Sequence, residues 1–134
     1  KIIEVVLAMR LELHYSKKEI FDLYAAHAPF GGNVVGIDAA AWRYFNTTPD
    51  RLTWSEAATL AVLPNSPSLV NPSKGRNELK KKRDTLLSNL CESEAYIPKR
   101  FKNEIFDEED FELSLLENIP PKPYDLPTLA FHLL

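Results

Sequence analysis

The stretch APFGGNVVGIDAAAWRYF, Ala28 to Phe45, decides the fold class. It holds three of the chain's four glycines, Gly31, Gly32 and Gly36, within six residues and then runs into an alanine-rich segment. Glycine reaches positive φ at no steric cost, so Gly31 and Gly32 predict a tight turn. Small side chains at Gly36, Ala39, Ala40 and Ala41 predict a helix that approaches its neighbour closely. Glycines ahead of a helix also suit phosphate binding, but no Gly-Lys-Ser/Thr sequence and no preceding strand accompany them. The scaffold reading is preferred.

Toward the amino end, Ile2, Val5, Val6, Met9 and Leu13 recur at helical spacing with Glu4, Arg10 and Glu12 between them, which predicts a helix over 1–14. Ser16 and Glu19 form a capping box that opens a second helix to about His27. Toward the carboxyl end, Thr53 and Glu56 repeat that logic for WSEAATLAVL, which Pro64 stops because proline lacks an N–H and clashes with the preceding turn. The segment PNSPSLVNP must then be extended or turned. From Asn77 to Asn89 the pattern is again helical, with Leu79, Leu86, Leu87 and Leu90 on one side. The basic run Lys74, Arg76, Lys80, Lys81, Lys82 and Arg83 falls on the other and reads as a solvated face. Asp107 caps a further helix through Leu116. After Ile119, four prolines in eight residues, Pro120, Pro121, Pro123 and Pro127, predict an extended linker. No stretch alternates with period two, so the chain reads as all-α.

With 134 residues, 45% hydrophobic and 26% charged, one globular domain is expected. A net charge of −3 excludes a global pull toward nucleic acid. Cys91 is the single cysteine, so no intrachain disulfide forms and no metal-ligand spacing exists around it. His14, His27 and His132 are too scattered for a metal site. No apolar run approaches the roughly 20 residues of a membrane span, and no signal peptide opens the chain. Both ends read as cut: KIIEVVLAMRLELHY carries no capping residue, and LAFHLL is apolar. Lys1 and Glu4, three apart, share a helix face and place a cation beside a carboxylate, although such a pair alone is a weak surface contact. No Ser-x-x-Lys is present, so no acylated serine is expected.

Taken together, KIIEVVLAMRLELHYSKKEIFDLY, PFGGNVVGIDAAAWRYF and LTWSEAATLAVLPNSPSLVNP resemble the second half of a family 51 peptidoglycan glycosyltransferase domain. Lys1 and Glu4 match the lysine and glutamate of the family's Arg-Lys-x-x-Glu motif. Lys17, Ile20 and Tyr24 match Lys-x-x-Ile-Leu-x-x-Tyr-Leu-Asn, with Phe21 in place of the leucine and Ala25 and Ala26 in place of Leu-Asn. Ala61, Leu63, Pro64, Pro67 and Pro72 match a helix and proline turn. The PFGGN and LPNSP forms look most like bifunctional penicillin-binding proteins of class 1C. The resemblance is strong to about residue 90 and weaker from IFDEEDF onward.

That resemblance implies the C-terminal lobe of a lysozyme-like helical domain over 1–119, and a linker over 120–134 toward an absent transpeptidase domain. It implies a parent enzyme that polymerises lipid II into glycan strands at the periplasmic face of the inner membrane, anchored by a segment outside this chain. Lys1 would then bind the substrate's phosphate, and Glu4 would act in catalysis. No cofactor is implied, although a divalent cation has a place in the family's site. The family's general-base motif, Glu-Asp-x-x-Phe-x-x-His-x-Gly, has no match, so this chain alone is expected to be inactive. A lysozyme-like hydrolase would need two placed acids. A non-catalytic helical module of the cell wall machinery would explain the charge runs but not three ordered motifs.

Overall fold

The computed structural model describes residues 1–65, 75–92, 106–120 and 122–124. Among the described residues six α-helices follow in order: α1 (Ile2–His14), α2 (Lys17–His27), α3 (Ile37–Phe45), α4 (Trp54–Val62), α5 (Arg76–Glu92) and α6 (Glu108–Leu116). Among the described residues no strand forms, and the only pairing of that kind is an isolated antiparallel bridge between Pro29 and Val35. The all-α expectation therefore holds for them. The stretch 66–74, with Pro67, Pro72 and Lys74, and the residues Pro121, Pro127 and His132 lie outside the described residues.

Three capping boxes set the helix starts. Ser16 with Glu19 opens α2, Thr53 with Glu56 opens α4, and Asp107 with Asp110 opens α6. Each pairs backbone N–H groups that would otherwise go unsatisfied at a helix start. Helix α3 ends on Asn46 in the left-handed conformation, φ 54°, a role asparagine tolerates better than most residues. A single 3-10 turn over Pro49–Arg51, which the sequence pattern had not indicated, connects α3 to α4. Helix α5 is longer than its apolar pattern suggested.

The turn before α3 is built as its glycines require. Gly31 and Gly32 take φ of 87° and 57°, Asn33 takes 65°, and the Val34 N–H closes the turn on the Gly31 carbonyl at 3.0 Å. Tyr44, from the last turn of α3, donates its hydroxyl to the Phe30 carbonyl at 3.0 Å and locks the turn to the helix. Burial pushes the Tyr44 phenol above its ordinary value.

Two clusters form the interior. In the first, Phe30, Val34, Ala40, Ala41 and Tyr44 pack against Leu60, Leu63 and Leu79. Ala40 and Ala41 are wholly buried, whereas Ala39 faces solvent, so close approach falls to two of the three alanines. In the second, Ala58, Leu87 and Phe106 meet Trp54, whose ring lies 4.8 Å from that of Phe106. Helix α4 serves both clusters, because Ala58 and Leu60 point to different sides of it.

The basic run does not form one solvated face. Arg83 is 0% exposed, while Lys80, Lys81 and Lys82 face solvent. Its Nε donates to Asp84 Oδ1 at 2.8 Å and its Nη1 to Ser55 Oγ at 2.9 Å. Nη2 lies 2.7 Å from the same Asp84 oxygen but at an angle that makes no hydrogen bond, so its contribution there is charge pairing. Only the arginine is enclosed, since the Asp84 side chain is 32% exposed, so losing Asp84 would leave the larger penalty, a buried guanidinium without its counter-charge.

Candidate functional site

Helix α1 carries the two residues singled out by spacing. Lys1 stands at the helix N-cap and makes no side-chain cap, while its carbonyl accepts the Val5 N–H at 3.1 Å. Glu4 lies in the first turn. Both are exposed, and among the described residues neither side chain makes a hydrogen bond or ion pair. The structure therefore brings an ammonium and a carboxylate to the N-terminal end of one helix, both exposed.

The rest of α1 explains how that end is presented. None of its residues is buried: Ile2 is 83% exposed, Met9 62% and Leu13 82%. Ile2, Val5, Val6, Met9 and Leu13 form one broad apolar side, and Ile3, Leu7 and Leu11 a second. Glu4, Ala8 and Glu12 separate them on one flank and Arg10 on the other. A helix apolar on two sides is of the kind that packs inside a larger body. At its far end, Glu12 pairs with Lys17 at 3.2 Å and the Ser16 capping box turns the chain into α2.

Helix α2 places the second motif. Ile20 is half-buried, whereas Phe21 and Tyr24 are exposed at the rim of a cavity of about 290 Å³ lined also by Ala25, Phe30, Leu60 and Pro64. At Ala26 the backbone is what matters: its carbonyl oxygen lies against Gly36. Position 26 thus serves the fold through its main chain and offers no polar side chain. From the third motif, Leu63 enters the core and Pro64 lines the apolar cavity.

No group of three or more His, Cys, Asp or Glu residues able to hold a metal gathers among the described residues. Glu4 stands as a lone carboxylate, which does not supply the several oxygens a divalent ion takes from protein. His14 and His27 each bond through Nδ1 to the carbonyl four residues back, at 2.8 and 2.9 Å.

The polar constellation that spacing did not reveal surrounds the start of α4. Thr53 Oγ1 accepts the Glu56 N–H at 3.2 Å and donates to Glu117 Oε2 at 2.7 Å, while Arg83 reaches Ser55 from α5. Burial pushes the Glu56 carboxyl above its ordinary value; the Thr53 N–H pulls it down, and the Glu117 charge raises it again. One signal lay in the sequence: Leu79, Arg83 and Leu87 are spaced by four, which puts the arginine on the buried row of α5.

Comparison with known proteins adds an independent line. The family model described as Transglycosylase matches residues 1–91. Penicillin-binding protein 1C of Escherichia coli is 43% identical over 91 residues, covering 68% of this chain and 12% of that protein. Penicillin-binding protein 1F of Bacillus subtilis is 39% identical over 94 residues, 70% of this chain and 13% of that one. A crystal structure of penicillin-binding protein 1A from Haemophilus influenzae superimposes with a TM-score of 0.64 at 30% identity, covering 86% of this chain and 15% of that chain. The chain thus spans about an eighth of the length of the curated relatives it matches.

Proposed function

The chain belongs to the Transglycosylase family, and from that premise we propose that it is the C-terminal lobe of a peptidoglycan glycosyltransferase domain. The parent protein polymerises lipid II into glycan strands, releasing a lipid diphosphate at each transfer, and works at the periplasmic face of the inner membrane through an anchor outside this chain. Residues 1–119 belong to the transferase domain, and 120–134 lead toward a transpeptidase domain.

The observation that supports this reading is that Lys1 and Glu4, though not in contact, both stand exposed at the start of α1, within the segment that matches the family. A diphosphate departs poorly unless its developing charge is met, and the Lys1 ammonium meets it. Glu4, one turn on, either assists departure of that leaving group or holds the basic groups around it in place. The acceptor sugar hydroxyl must also lose a proton to a base, and the family's base motif has no counterpart in this sequence.

The test is lipid II polymerisation by the transferase domain extended upstream of Lys1, by its Glu4→Gln variant, and by this chain. Glycan strands from the extended protein, a loss of about 100-fold or more on Glu4→Gln and no product from this chain are expected. An inert extended protein, or full activity in Glu4→Gln, refutes the assignment.

A further inference from the structure

The segment that follows α6 is held to the body at Glu117, Ile119 and Tyr124. Arg83 Nη1 donates to the Glu117 carbonyl at 2.7 Å, and Arg76 Nη2 donates to the Ile119 carbonyl. The Glu117 carboxylate accepts from Thr53 at 2.7 Å, and the Tyr124 N–H donates to the Arg43 carbonyl at 2.7 Å. These contacts reach α5 twice, the start of α4 once and the end of α3 once. Residue 117 is extended, with φ −64° and ψ 134°.

Prolines explain why the partners are of this kind. Pro120 and Pro123 carry no N–H, so the segment cannot enter a strand ladder and its polar needs are mainly those of carbonyl oxygens. Arginine side chains answer that need without a neighbouring strand, because a guanidinium offers five N–H donors and accepts nothing. Of the basic run on α5, two members are therefore committed to this segment rather than free to meet an anion.

We infer that residues 117–120 and 122–124 form a strap, fastened by Arg83 at one end and by the Arg43 carbonyl at the other, that ties the chain past α6 to α3, α4 and α5. Arg76 and Arg83 are its positioning residues. The described part of the stretch read from composition as an extended linker is thus fastened to the body, and a displacement applied at Tyr124 acts directly on the end of α3.

Amide hydrogen exchange in the full chain and in Arg76→Ala tests this. Arg76 is exposed, so its loss leaves the interior intact. The Tyr124 amide is protected in the full chain, and Arg76→Ala accelerates its exchange about ten-fold while amides in the middle of α5 keep their rates. A Tyr124 amide that exchanges at the unprotected rate while α5 stays protected overturns the strap. So does an Arg76→Ala variant whose Tyr124 exchange is unchanged, or one in which α5 accelerates equally.

Discussion

Gly36 lies so close to Ala26 that a Cβ built on it would sit 2.6 Å from the Ala26 carbonyl oxygen. The contact is with backbone, which has no rotamer to escape into, and the φ of Gly36 is 85°. It joins the end of α2 to the start of α3, where the Gly36 N–H also reaches the Ala28 carbonyl at 3.0 Å.

Gly36→Ala is therefore expected to cost about 2–3 kcal/mol, from strain at positive φ together with the clash. Gly32→Ala, with φ 57° and nothing within 4 Å of the new methyl, should cost only about 1–2 kcal/mol. Urea midpoints of the two variants check the order, and equal losses would refute the close approach.

Thr53 works twice, as the N-cap of α4 and as donor to Glu117. Thr53→Ala should lose about 1 kcal/mol for the cap and somewhat more for the second bond. Thr53→Ser keeps the hydroxyl that makes both bonds and should recover most of the loss in the same urea experiment.

The carboxyls of Glu19 and Glu56, each in a capping box, are shifted in opposite directions. The Ser16 N–H and hydroxyl hold Glu19 below the ordinary 4.5, so its stabilising contribution is present above that value and is lost as pH falls through its folded pKa. Burial raises Glu56 above 4.5, so its contribution is fullest below that value and is lost as pH rises through its folded pKa. Side-chain carboxyl shifts followed by NMR should give a Glu19 midpoint below 4.5 and a Glu56 midpoint above it. In Glu56→Gln, stability should decline less between pH 4 and pH 7 than in the parent chain.

The exposed apolar sides of α1 should drive association as concentration rises. Light scattering is expected to report a mass above the 15.3 kDa of one chain. Met9→Glu, which removes a side chain worth about 1.5–3 kcal/mol when buried, should weaken that association by roughly 10- to 100-fold. A mass fixed at one chain at every concentration would contradict the expectation.

Much of the helical plan was legible because capping boxes and prolines are local signals. Ser16, Thr53 and Asp107 mark helix starts by side-chain chemistry that acts within three residues, and all three do so. That Lys1 and Glu4 share the first turn of α1 was legible for the same reason, while the roles proposed for them rest on the family resemblance. Arg83 was misread because charge was taken as the sign of a solvated face, whereas its neighbours at four-residue spacing are buried leucines. Its partners, Ser55 and Glu117, lie 28 and 34 positions away. Such a pairing depends on how α4, α5 and the strap come together, and no local pattern encodes it.

The grip of Arg83 on Glu117 also orders events during synthesis. The guanidinium leaves the ribosome 34 residues ahead of the carbonyl that gives its Nη1 a second acceptor, a lag of roughly 2–7 s at 5–20 residues per second. Through that interval a charge destined for full enclosure has only Asp84 and Ser55 to satisfy it, so water must remain between α4 and α5. The nascent helices can meet early, but their interface dries only after translation has delivered the strap.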